Sequence, residues 1–193
     1  MRKCFVLFIF LGFFSLPLIA QDYPKAEIFG GYQYLHTGQV NVDGSEAVPS
    51  EGLNGWSAAL RGNFNRHFGL EGDFGGVYTT DNGVHIHHYT FTGGPVVSFD
   101  AGGKINPFVH VLFGGVHSSF SGSSGGVSAS VSHTGFTTLF GGGLDAKVNK
   151  AISIRVIEAD WLYYHFGNFQ PLTSSSISQS NNVRITTGIV FTF

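Results

Sequence analysis

Three observations predict an all-β chain, an eight-stranded antiparallel up-and-down transmembrane β-barrel. Apolar residues alternate with small or polar ones in eight successive segments, the signature of strands with one apolar face. These segments run about ten to fifteen residues, where soluble strands most often have about five or six. Charged residues make up only 11% of the 193-residue chain, against about 25% in a typical soluble domain. Such a chain is too uncharged for a comfortable water-facing surface. Yet beyond its first twenty residues no segment has the ~18 continuous apolar residues of a membrane helix. Strands that cross lipid as a closed barrel satisfy both facts.

Met1 to Ala20 stand apart. Arg2 and Lys3 give a basic start, and Phe5 to Ile19 form an apolar stretch broken only by Gly12, Ser15 and Pro17. Ala20 is a small residue just before the polar QDYPKAE. This pattern predicts a secretory signal peptide over 1–20 and a barrel domain over 21–193. The competing reading, a membrane anchor, is disfavoured by the short stretch and by Pro17. The sole cysteine, Cys4, precedes the apolar region, so it is not placed as a lipidated cysteine, and no disulfide is expected in the barrel. Without Arg2 and Lys3, eight basic residues face twelve acidic ones, a balance that does not invite nucleic acid.

The first segment, Lys25 to His36, sets Ile28, Gly30, Tyr32 and Tyr34 against Glu27, Gly31 and Gln33. In the second, Gly55 to Asn65, Trp56, Ala58, Leu60 and Phe64 oppose Ser57, Arg61, Asn63 and Asn65. Phe68 to Tyr78 sets Leu70, Phe74 and Tyr78 against Glu71 and Asp73. His87 to Phe99 sets Tyr89, Phe91, Val97 and Phe99 against His88, Thr90, Thr92 and Ser98. In the fifth, Asn106 to His117, Val109, Val111 and Phe113 oppose His110, Leu112 and Gly114. The sixth, Thr134 to Val148, sets Phe136, Phe140 and Leu144 against Gly141, Gly143 and Asp145. The seventh, Ala151 to Phe166, is less regular, because Arg155 and Asp160 fall on opposite parities. A β-bulge between them is expected to return both to the polar face. The eighth, Asn181 to Phe193, sets Val183, Ile185, Thr187, Ile189, Phe191 and Phe193 against Asn182, Arg184, Thr186, Gly188, Val190 and Thr192.

The junctions alternate as well. NRHFG, DAGGK and NKA are short, whereas TGQVNVDGSEAVPSEGLN, TTDNGVHI, SSFSGSSGGVSASVSH and GNFQPLTSSSISQS are long. Short turns at one end and long loops at the other are the outer-membrane arrangement, with the short turns periplasmic. The low charge and Gly/Ser content of the long runs predict flexible, surface-displayed loops without a preformed pocket. A lipocalin-like secreted barrel would also have eight strands, but its polar parity would face water and scatter Lys and Glu. Here that parity is mostly Gly, Ser, Thr and Asn, with isolated charges of both signs. Tyr32, Tyr34, Trp56, Tyr78, Tyr89, Trp161 and Tyr163 lie toward strand ends, as an interfacial girdle requires.

Those inward charges are the first candidate site. Eight strands leave room inside for side chains but little for a water channel, and buried charge is tolerable only when paired. Arg61, Arg155 and Arg184 are therefore expected to meet Glu27, Glu71, Asp73, Asp145 and Asp160 in a lumen network that plugs the barrel and fixes its register. A gated small-solute pore would use the same charges. His36, His85, His87, His88, His117, His133 and His165 gather at the loop ends of their segments. His85, His87 and His88 in HIHH are the metal candidates, since convergent imidazoles suit zinc or copper. No Cys or carboxylate stands beside them at ligand spacing, so no metal site is assigned. Ser118, Ser119 and Ser132 lie near His117 and His133, but no acid is placed to orient a base, so no catalytic residues are assigned. GGGLD has no helix pattern after it, so it is no phosphate loop; its glycines instead admit bulky neighbours inside the barrel.

Taken together, KAEIFGGYQYL, FGLEGDFGG, NPFVHVLFGG, GGGLDAKVNKAISIRV and VRITTGIVFTF resemble the OmpA-like outer-membrane β-barrel domain family in its small eight-stranded form. The resemblance implies that Ile189, Phe191 and Phe193 are the signal read by the barrel-assembly machinery. Many such proteins continue into a peptidoglycan-binding domain, which this sequence does not show, so that anchoring is not carried over. The implied role is structural or surface-interacting in the bacterial outer membrane, with no cofactor. Outer-membrane lipid, the assembly machinery and an extracellular ligand at the long loops are the implied partners. A narrow channel and a lipid-modifying enzyme are the alternatives.

Overall fold

The computed structural model describes residues 23–38, 40–42, 45–48, 51–81, 84–124, 127–165, 177–179 and 182–193; the expected signal peptide falls outside them. All regular structure among the described residues is β-strand. In chain order the strands are β1 (Ala26–Thr37), β2 (Val40–Val42), β3 (Ser45–Val48), β4 (Glu51–Asn63), β5 (Phe68–Asp81) and β6 (Val84–Ser98). They continue with β7 (Ile105–Ser124), β8 (Val127–Lys147), β9 (Ile152–His165), β10 (Ile177–Gln179) and β11 (Asn182–Thr192). Eight of them close a barrel in the order β1-β4-β5-β6-β7-β8-β9-β11, and β10-β2-β3 form a small separate sheet. Every neighbouring pair is antiparallel, and β1 meets β11 through a register running from Glu27↔Thr192 to His36↔Val183.

Two of the short turns use the same local device. Asn65 Oδ1 accepts hydrogen bonds from the backbone N–H of His67 (2.8 Å) and Phe68 (2.9 Å). Asn149 Oδ1 does the same for Ala151 (2.8 Å) and Ile152 (2.9 Å). An asparagine whose side chain caps its own turn makes the reversal tight. The barrel seam is tied at the same end, where Phe193 N–H donates to Ala26 O at 2.9 Å.

The two faces are inverted relative to a water-soluble barrel. Leu60, Phe140, Trp161 and Phe113 lie exposed on the outside, whereas Arg61, Arg155 and Arg184 are each no more than 2% exposed. Only a hydrocarbon environment makes that distribution favourable. The bulge in the seventh segment is present: Leu144 pairs with Ile157 but Asp145 pairs with Arg155. Val156 and Ile157 consequently both face outward, and Arg155 and Asp160 both face in.

The long junctions differ from expectation. TTDNGVHI is mostly strand, with β5 and β6 pairing up to Asp81↔Val84. SSFSGSSGGVSASVSH likewise continues the β7–β8 ladder to Ser124↔Val127. Within TGQVNVDGSEAVPSEGLN, β2 and β3 form a hairpin, and β2 also pairs with β10 from the last long run. Gly and Ser read as loop residues, but Val, Ala and Ile at every second position (Val127, Ala129, Val131) keep a strand's period. Cross-strand pairing therefore extends beyond the membrane-spanning segments.

The lumen is layered. Toward the loop end, Leu35, Leu53, Val77, Leu112, Val116, Leu139, Leu162 and Tyr164 form a buried apolar cluster. Below it, toward the short turns, lie the charges. Glycines make the space: a Cβ on Gly141 would collide with the Asp160 carboxylate, and one on Gly143 would lie 2.8 Å from Cζ of Phe108.

Candidate functional site

The eight charged residues expected in the lumen are all buried there. Arg61 on β4 donates from Nε to Glu71 Oε2 (2.7 Å) and from Nη1 to Glu27 Oε2 (3.2 Å). Arg155 on β9 grips Asp145 with two bonds, Nε to Oδ1 at 2.9 Å and Nη2 to Oδ2 at 3.2 Å. Such a fork fixes both partners' orientation as well as their charge. Arg184 on β11 reaches Asp160 Oδ2 at 2.8 Å and, across the lumen, Asp73 Oδ1 at 2.6 Å. The guanidinium of Arg155 lies between the rings of Phe29 and Phe108, 4.4 and 4.5 Å from their centroids.

Two members were missing from the expected set. Glu158 accepts from Arg155 Nη1 (2.6 Å), Arg184 Nη2 (3.3 Å) and Thr186 Oγ1 (3.0 Å). It shares parity with Asp160, so following the bulge one step further would have found it. His110 stands between two carboxylates, Nδ1 at 2.9 Å from Glu71 Oε1 and Nε2 at 2.8 Å from Asp160 Oδ1. Its place on the polar parity was legible; its reach between two strands' acids was not. With these two the contacts close into a ring: Arg61, Glu71, His110, Asp160, Arg184, Glu158, Arg155, Asp145 and back to Arg61 at 3.9 Å. His110, Glu158 and Asp160 bring potential metal-ligand atoms within 4.8 Å of one another. Those atoms are already engaged by Arg155, Arg184 and one another, and two guanidinium groups there disfavour a cation.

The rim histidines divide between faces. His87 packs outside, edge-on to Tyr78 with centroids 5.3 Å apart. His88, its neighbour, turns inward, with Nδ1 2.7 Å from Ser118 Oγ and Nε2 3.1 Å from Tyr164 Oη. The side chain of His85 is outside the described residues. His117 Nδ1 lies 2.9 Å from Thr134 Oγ1. Outside, Trp56 Nε1–H donates to Tyr78 Oη (2.9 Å) and Tyr32 Oη–H to Asn54 Oδ1. Ile189, Phe191 and Phe193 all face outward and are exposed.

A family model for the outer membrane protein β-barrel domain matches residues 6–191. The chain belongs to that family. Its place is the bacterial outer membrane, and its barrel is of the small eight-stranded kind. Among solved structures it is similar to Ail, the attachment invasion locus protein of Yersinia pestis. That likeness has a TM-score of 0.62 at 20% identity, covering 89% of this chain and 99% of that one. Ail in complex with the heparin analogue sucrose octasulfate matches with a TM-score of 0.58, also at 20% identity, over 88% and 99% of the two chains. Neisserial surface protein A gives 0.59 at 11% identity, over 88% and 97%. At such identities the likeness shows the shared fold. No curated protein matches the chain significantly in sequence.

Proposed function

We propose that this family member is a sealed barrel with a structural and surface-interacting role, a rigid pedestal for the strands and loops it raises outside the membrane. The observation that carries this reading is the filled lumen: an ion-paired ring beneath an apolar layer, both spanning the bore. In this reading the charge ring fixes strand register and stops the bore, because an ion crossing it would have to displace buried pairs and then cross apolar surface. An extracellular ligand at the raised segments belongs to the same reading. The sulfated ligand of Ail is not carried over, since residues 31–60, 72–103, 105–146 and 156–183 contain no Lys or Arg to pair with sulfates. Ile189, Phe191 and Phe193, outward at the seam, are read as the segment the assembly machinery engages. The reading assigns no catalysis. The His88–Ser118 pair is held by Tyr164, and among the described residues no carboxylate orients that imidazole.

The test is conductance in planar lipid bilayers. The purified protein is expected to insert without current steps; reproducible single-channel openings would instead establish the narrow-channel reading.

A further inference from the structure

The basic residues outside the lumen gather at one end of the barrel. Of the ten Lys and Arg residues, Arg2 and Lys3 fall in the expected leader, and Arg61, Arg155 and Arg184 in the lumen. The other five, Lys25, Arg66, Lys104, Lys147 and Lys150, are all exposed at the short-turn end. Lys25 precedes β1, Arg66 sits in the β4–β5 turn, Lys104 precedes β7, Lys147 ends β8 and Lys150 sits in the β8–β9 turn. These positions are distributed around the barrel, so the cations form a ring rather than a patch on one side. Asp100, 3.2 Å from Arg66, is an acidic neighbour among them.

Each of the three turns also carries exposed apolar side chains beside its cation. Phe64 and Phe68 flank Arg66, Phe99 and Ile105 flank the Lys104 turn, and Val148 lies between Lys147 and Lys150. This is the order of groups at a membrane surface: the apolar side chain enters hydrocarbon, and the ammonium or guanidinium stays at headgroup depth. We propose that this ring of cations binds the phosphates of anionic phospholipids in the inner, periplasmic leaflet of the outer membrane. Lipid meets the rim on every side, as the ring requires, whereas a docked protein would engage one sector. Local contacts hold two of the lysines at the rim without consuming their donors. Lys147 Nζ donates to Gly102 O at 3.2 Å, and Lys25 Nζ lies 5.5 Å from the centroid of the Tyr23 ring. Each ammonium retains donors for a phosphate oxygen. The proposal rests on the membrane orientation of the barrel, independently of whether the lumen conducts.

The test places the membrane-extracted protein in nanodiscs of phosphatidylcholine alone or mixed with phosphatidylglycerol. The readout is the temperature at which the fast-migrating, folded band disappears from an unboiled gel. Phosphatidylglycerol is expected to raise that temperature by several degrees, and salt well above physiological strength to remove most of the gain. K25Q/K104Q/K147Q/K150Q is expected to match the wild type in phosphatidylcholine and to lose the gain in the mixture; Arg66 is left in place because it pairs with Asp100. Equal wild-type melting in both lipids, or a full shift retained by the variant, overturns the proposal. Should the variant not fold, the wild type decides through salt: a gain that persists in molar salt overturns it equally.

Discussion

At the residue scale, buried arginine decides most. Arg184 contacts Asp73, Glu158 and Asp160, residues on two strands facing it across and beside the bore. Removing one partner of a buried ion network leaves the other charges unpaired, which typically costs about 3–5 kcal/mol. Arg184→Ala is expected to lower stability by about that amount, measured by urea unfolding in lipid vesicles with tryptophan fluorescence. Arg66→Ala, whose pair with Asp100 is half-exposed, should cost at most about 1 kcal/mol in the same assay. Equal losses from both would mean that the lumen pairs are wet and weak.

At the element scale, β9 is the strand whose regularity matters. Its bulge puts Val156 and Ile157 on the same outward face and so allows Arg155, Glu158 and Asp160 all to point inward. A one-residue change of register sends every following side chain to the opposite face. Deleting Ala159 would therefore send either Glu158 or Asp160 into lipid, whereas deleting Val156 only removes the bulge and leaves Arg155, Glu158 and Asp160 inward. The Ala159 deletion is expected to abolish the boiled–unboiled gel shift, whereas the Val156 deletion should retain it. The turns are less demanding, because Asn65 and Asn149 each close theirs through local bonds to backbone N–H groups of the same turn.

At the scale of the whole molecule, an apolar layer and an ion-paired layer lie in series along the bore. In the sealed-barrel reading proposed above, the apolar cluster around Leu112 and Leu139 would exclude ions by dewetting, and the ion-paired ring beneath it would exclude them by occupying the bore. Opening one leaves the other shut. In the bilayer assay Leu112→Gly/Leu139→Gly and Arg184→Ala are each expected to stay silent, while their combination conducts. Current from either variant alone would mean that a single layer provides the seal.

The sequence by itself determined the number of barrel strands, the facing of nearly every described side chain in them and the membrane setting. Those follow from a period of two repeated over lengths that suit hydrocarbon, and from the scarcity of charge; all are local properties of consecutive residues. The bulge, too, was legible, because Arg155 and Asp160 could not otherwise share a face. The outward strands at the loop end were hidden by composition, since Ser and Gly mark loops unless a facing strand supplies the pairing that β7 and β8 give each other. Which inward charges meet was decided only by the closed barrel. Arg184 reaches Asp73 across 111 residues of sequence, and His110 joins acids from two different strands, because barrel closure brings their strands to face one another across one narrow bore. Parity fixes the face a side chain takes. Its partner across a lumen depends on strand order, tilt and register together, and those exist only once the sheet has closed.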